Sequence, residues 1–433
     1  MYFLCPKFDT MNSKILNSIL ILILLFLSCQ KESISQNDDA PSDTSTEQNP
    51  SGNNTSVLSS VFDLPCVNGF AGTFPCKGYD LLAHINLPSL EGNEGSDSWG
   101  WTDPKTQKEY VLMGLDNGTA FVDISEPTKP ILIGKLPTAT EESPWRDIKV
   151  YNNHAFIVSE ASDHGIQVFD LTRLREAQPK QNFTADRVLK TIPTAHNMVI
   201  NPDSGYGYVV GTDRGNKYMG GTHFLDLNDI QSIRFVGGYA EGGYSHDAQV
   251  VNYKGPDQDH TGKEIFLGAN ESRLVIVDVT DKENPKAISE INYQNSHYTH
   301  QGWFDKNQRF FFLGDELDES KIGGKTRTLV IDLRDLDQPI LHHAYYGPTN
   351  AIDHNGYVKD DLFYLANYSA GVRIISIADL ENKNMTEIGF FDTFPEHNST
   401  TFNGAWNVYP FFESGVIAIS DINRGLFLIK KSE

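Results

Sequence analysis

Seven times along the chain an aromatic residue or a histidine opens a unit of about fifty residues, and this repetition restricts the fold more than any other feature. The openings are Ser98-Trp99-Gly100-Trp101, Trp145-Arg146-Asp147, His196-Asn197-Met198, His246-Asp247-Ala248, His300-Gln301-Gly302-Trp303, His354-Asn355-Gly356-Tyr357 and Trp406-Asn407-Val408, with successive spacings of 47, 51, 50, 54, 54 and 52 residues. Each opening leads into a short apolar strand, a polar hairpin, a second strand ending in small and acidic residues, and a third strand. In five units the third strand ends in Asp, at Asp123, Asp170, Asp226, Asp278 and Asp332, whereas Ser376 and Lys430 stand there in the last two. Four short strands per unit, with turn residues between them and one helix-like stretch at 171–177, predict an all-β chain folded as a seven-bladed β-propeller. The last unit has only three strands before the chain stops, so residues 79–87 are expected to return as its fourth and close the ring without leaving open sheet edges.

The segment ahead of the repeats reads as an address. Residues 16–27 form an apolar run behind Lys7 and Lys14, broken only by Asn17 and Ser18, with the length of a secretory h-region and too short to span a bilayer. Residues 1–28 are therefore expected to be a signal peptide. The run closes on Phe26-Leu27-Ser28-Cys29, a lipobox-like sequence that predicts a lipid on the Cys29 sulfur. Residues 29–60 are mostly Ser, Asn, Asp, Gln, Thr and Pro, which cannot offset the entropy of ordering and predict a flexible tether. Gln30-Lys31-Glu32 lacks the Asp that would signal inner-membrane retention, so display on the outer membrane or cell surface is expected. The propeller then occupies residues 61–433. Cys66 and Cys76 enclose a loop with two Gly and a Pro, and in an oxidising compartment they read as a disulfide.

Acidic residues outnumber basic ones by 57 to 35, and a net charge of −22 would be repelled by phosphate backbones and anionic headgroups. Nucleic acid is thereby excluded as a partner, and the membrane is met only through the lipid. The sequence has no Gly-Lys-Ser/Thr loop, Gly-x-Ser-x-Gly elbow or His-Glu-x-x-His pair, so the common NTPase and hydrolase chemistries have no support. The repeated Asp is expected to be scaffold, since a carboxylate ending a strand can accept a backbone N–H from the following turn.

The opening histidines carry more chemistry. Inner strands of a propeller start at one face, so His196, His246, His300 and His354 should gather at one mouth of the channel. The loops between second and third strands emerge there too, bringing Glu160, Asp213 and Glu316. Neutral imidazoles with carboxylates suit a divalent transition metal such as Zn, Cu, Mn or Fe. The competing expectation is structural: each imidazole hydrogen-bonds a backbone group of the next blade, as Trp145 and Trp406 could through their ring N–H. His154, His164, His223, His260, His297, His342 and His343 fall in loops or outer strands and are expected at the surface. Asp257-Gln258-Asp259-His260-Thr261-Gly262 resembles half of a calcium loop, but Gly268 replaces the distal Glu, so a polar hairpin is preferred to calcium.

Leu274-Val275-Ile276-Val277-Asp278 is similar to the LVIVD repeat, and the run from Cys66 through Pro75-Cys76, Asp80-Leu81-Leu82, Trp99-Gly100-Trp101 and Gly118-Thr119-Ala120-Phe121-Val122-Asp123 resembles the choice-of-anchor B family of secreted propellers. The resemblance covers residues 60–433 and implies a surface-displayed propeller. The function expected from display and fold is a binding module for an extracellular protein or glycan; the alternative is a metal-dependent enzyme with its His and carboxylate site at the channel mouth.

Overall fold

A computed structural model of the chain describes residues 61–433; the expected signal peptide at 1–28, the expected lipidation site Cys29 and the expected tether at 29–60 lie outside the described residues. Seven sheets account for the predicted blades, antiparallel throughout except where Gln181–Asn182 adds a short parallel strand to the first. Their innermost strands are Gly95–Thr102, Arg146–Tyr151, Asn197–Asn201, Asp247–Asn252, Thr299–Phe304, Gly356–Lys359 and Ala405–Tyr409. Each packs against the next, and the seventh against the first, which closes a ring around a central channel.

The core is divided in the same way. Strands such as Leu274–Asp278 are rich in β-branched residues, which suit a pleated surface packed on both faces. Their side chains form seven apolar clusters, each drawn mainly from two neighbouring blades. Phe121 stacks on Phe169 at 4.7 Å between the first two blades, and Phe312 on Phe363 at 4.9 Å between the fifth and sixth. Stability therefore resides between blades, and a blade missing its neighbour would expose its apolar face.

The repeated Asp does what a strand-ending carboxylate can do. Asp123, Asp170, Asp226, Asp278 and Asp332 each accept the backbone N–H two residues on, at 2.9 to 3.1 Å. This contact turns the chain toward the outer strand.

Closure also follows the expectation. Tyr79–Ile85 pairs antiparallel with Gly425–Lys431 as the fourth strand of the last blade, and Val61–Leu64 adds a fifth. Between them the short hairpin of Phe70–Ala71 and Phe74–Lys77 joins the outer edge of the sixth blade, with Cys66 and Cys76 disulfide-bonded. The N-terminal segment thus clasps two blades. Asp80 Oδ1 fastens it further by accepting from Cys66 N at 2.8 Å and Ser432 Oγ at 2.6 Å.

Three local expectations need correction. Besides the 3₁₀ helix Leu171–Glu176, a short α-helix Asp318–Ile322 precedes the third strand of the fifth blade. It buries Asp318 and Glu319, which bind Arg327 through its guanidinium and backbone N–H respectively. His164, His223 and His260 are buried rather than at the surface, because each has a polar partner. His164 Nε2 faces the Arg146 guanidinium at 3.0 Å, His223 Nε2 the Asn216 amide at 3.1 Å, and His260 Nε2 the Asp337 carboxylate at 2.9 Å. Finally, Trp145 is 47% exposed at the channel rim, and among the described residues its ring N–H makes no hydrogen bond to the next blade.

Candidate metal centre at one mouth of the channel

Because inner strands start at a common face, the residues at or just before their starts form a ring, and four consecutive blades place a histidine in it. Ring centroids lie 4.0 Å apart for His196 and His246, 4.5 Å for His246 and His300, and 4.4 Å for His300 and His354. Glu316, from the loop after the strand Phe310–Asp315, reaches this arc: its Oε2 is 3.8 Å from His300 Nε2 and its Oε1 is 3.5 Å from His354 Nε2. Glu160 meets the other end, with Oε1 2.5 Å from His196 Nδ1. Above the arc opens a cavity of about 620 Å³, also lined by Trp145, Tyr298 and Trp406.

Two sets of ligand atoms result, His196 with His246 and His300, and His300 with Glu316 and His354, each set lying within 4.8 Å of one another. Tetrahedral zinc has Zn–N bonds of about 2.0–2.1 Å, which place ligands about 3.3 Å apart, so binding would require a modest contraction of either set.

Tautomer and charge both favour ligation. His354 Nδ1 donates to the Trp406 carbonyl at 2.6 Å and His246 Nδ1 to the His300 carbonyl at 3.3 Å, each crossing to the next blade. The structural and ligand expectations are thus compatible for these two, since a donating Nδ1 leaves Nε2 with its lone pair. Burial, followed by the neighbouring imidazoles, holds His246 and His300 well below the ordinary imidazole range and brings His354 to about 3. All three are neutral at physiological pH, the form a metal requires. His196 differs: burial would lower it, but the Glu160 hydrogen bond and charge outweigh that and raise it. Tyr368 donates its hydroxyl to Glu316 Oε1 at 2.8 Å and orients the carboxylate.

His300 is the unusual member. It is 2% exposed, its Nδ1 has no hydrogen-bond partner among the described residues, and its Nε2 faces Glu316 at 3.8 Å, beyond hydrogen-bond range. A buried ring nitrogen without a partner carries a desolvation cost that a ligand would relieve.

Other expected residues do not join the arc. Asp213 is exposed, and its Oδ1 accepts the Gly215 N–H at 2.8 Å. In the calcium-like loop, Asp257 accepts from Asp259 N at 3.1 Å and Leu336 N at 2.8 Å, so its oxygens serve to pin a hairpin to the next blade. Sequence reasoning missed Tyr368 and Tyr298, whose only signal is an aromatic near a loop rich in polar residues.

Directly beneath the arc the channel is plugged by buried charge. Lys149 Nζ lies 2.5 Å from Asp147 Oδ1 and 3.4 Å from Asp97 Oδ2. Burial would lower the ammonium, but these carboxylates outweigh it and keep Lys149 charged.

The LVIVD repeat family matches residues 109–138, the second to fourth strands of the first blade. No curated protein matches the chain. Among solved structures, a protein from Lactobacillus plantarum aligns at 10% identity with a TM-score of 0.49, covering 76% of this chain and 88% of that one. The extracellular domain of a B. thetaiotaomicron protein classed as a hybrid two component system aligns at 11% identity with a TM-score of 0.50, covering 81% of this chain and 39% of that one. The second of these likenesses concerns the fold alone, and the family match places an LVIVD repeat in the first blade.

Proposed function

We propose that this protein is a binding module of the choice-of-anchor B type, exported, lipid-anchored through Cys29 and displayed on the outer membrane or cell surface, which carries a divalent transition metal at the histidine mouth. His246, His300 and His354 supply neutral imidazoles, Glu316 a carboxylate, and His196 a fourth ring. The observation that carries this reading is His300, buried with its Nδ1 lacking a hydrogen-bond partner and its Nε2 3.8 Å from Glu316, while three imidazoles and that carboxylate crowd it. The open cavity above leaves a bound ion accessible to an extracellular protein or glycan, whose own donor atom would complete its coordination.

A catalytic reading has one specific support: the pairing of Glu160 with His196, which leaves a proton-holding dyad at the edge of the same cavity, the arrangement a general acid or base would need beside a metal.

Elemental analysis of protein purified without chelator, with titration by Zn, Cu, Mn and Fe salts, tests the metal. We expect stoichiometric ion in the wild type and its loss in His246→Ala/His300→Ala, with affinity falling at least about 100-fold while stability falls by about 1–3 kcal/mol. A wild type that purifies metal-free, takes up none of the four ions and loses only stability in the double variant overturns the reading.

A further inference from the structure

At the opposite end of the channel the same strands finish in a second cavity, of about 450 Å³, within the ~300–1,000 Å³ range of small-molecule sites. Trp99, Trp303, Tyr409 and Phe411 form its wall. Trp99 meets Tyr409 at 5.2 Å and Tyr409 meets Phe411 at 5.4 Å, both edge to face, and Trp303 rests on the buried Tyr357 at 5.0 Å. All four wall residues are only partly buried, so ring surface remains for a ligand.

The polar groups in this cavity are uncharged or already neutralised. Lys149 is bound to Asp147 and Asp97, and Asp203 faces Lys254 at 3.4 Å. Gln249 is 8% exposed; its Oε1 accepts the Phe304 N–H at 2.8 Å, which fixes the amide and leaves its NH₂ without a partner. Asn252 is held similarly, its Oδ1 accepting from Asn201 at 2.9 Å. The cavity thus offers aromatic faces, oriented amide donors and no free charge.

We infer that this mouth binds a neutral saccharide. An aromatic face is electron-rich and attracts the slightly positive C–H groups of a sugar ring, while the ring and hydroxyl oxygens can accept from the amide NH₂ groups. A purely apolar ligand would leave the Gln249 donor buried and unpaired, and an ionic one would find no opposite charge. The site is separate from the histidine arc and its occupancy does not depend on a metal.

Ligand-observed NMR and tryptophan fluorescence with maltose, cellobiose, lactose and diacetylchitobiose test it on metal-free and metal-loaded protein. At least one disaccharide is expected to bind saturably. Trp303→Ala should weaken it about tenfold or more without changing metal content. Phe411→Ala, on the loop after Ala405–Tyr409, should weaken it too and keeps the test decisive if Trp303→Ala does not fold. Failure of all four sugars to bind at about 10 mM, or binding undiminished in a folded wall variant, overturns the inference.

Discussion

The two mouths of the channel are ends of the same seven strands, yet they carry opposite chemistry. Where the strands start, four blades give imidazoles and two loops give Glu160 and Glu316; where they finish, three blades give Trp99, Trp303 and Tyr409 beside oriented amides. The plug of Asp97, Asp147 and Lys149 lies between. The contrast shows that a propeller uses its repetition for the scaffold and its departures from repetition for binding: the five Asx contacts recur from blade to blade, while neither mouth has sevenfold symmetry.

The most drastic way to break the contrast is to open the ring. Excising residues 79–88 removes Leu81, Ala83 and Ile85, all fully buried, from two inter-blade clusters and bares the ladder of Gly425–Lys431. The cost should exceed about 5 kcal/mol and abolish both metal and saccharide binding, with cooperative unfolding lost in circular dichroism melts. Retention of either mouth after excision would show that it does not depend on closure.

Next in size is the plug. Lys149→Met leaves Asp147 and Asp97 buried without their cation, at a cost of about 3–5 kcal/mol in denaturant melts. Lys149 Nζ also sits 4.7 Å from the Trp99 ring centroid, so saccharide binding should weaken while metal content stays unchanged. An unchanged melt would mean that burial, which pushes Asp147 well above the usual carboxylate range, already keeps it protonated.

The smallest effect separates the mouths by pH. Asp421, fully buried on the histidine side, is raised from 3.8 to about 6 by burial, partly offset by backbone N–H groups of Asn423 and Arg424 and by the Arg424 charge. A carboxyl raised in the folded state stabilises below its unfolded pKa and loses that contribution as pH rises through about 6. The Asp421 contribution to wild-type stability should therefore fall between about pH 4 and 6, and Asp421→Asn should be less sensitive than wild type over that window by up to about 3 kcal/mol in metal-free protein. Parallel pH profiles for the two proteins would count against the shift.

What could be read from the sequence tracks how local the cause is. Third-strand Asp contacts reach two residues along the chain and were legible in all five blades. Ring closure followed from counting strands in the last unit, and the histidine arc from four openings in register. The aromatic mouth was not legible, because Trp99, Trp303 and Tyr409 occupy different offsets within their units and meet only when the ring brings distant blades together. Asp213 illustrates the converse: its loop lies on the expected face, but a turn around Gly215 engages its carboxylate before it can reach the arc. The burial of His164 was hidden because its partner Arg146 lies on the innermost strand of the blade, one strand further back along the chain than His154–Ser159.

The N-terminal clasp also decides how the molecule bears load. A pull entering through the chain ahead of Val61 would first peel Val61–Leu64 from the edge of the last blade, one ladder pair at a time. It then reaches Cys66, where the covalent bond to Cys76 carries tension past the intervening hairpin into Tyr79–Ile85, a strand gripped on both sides by Val61–Leu64 and Gly425–Lys431 until the first is stripped. The outer strand is thus a sacrificial layer, and the disulfide a stop that keeps a pull on the chain ahead of Val61 from unwinding the wheel.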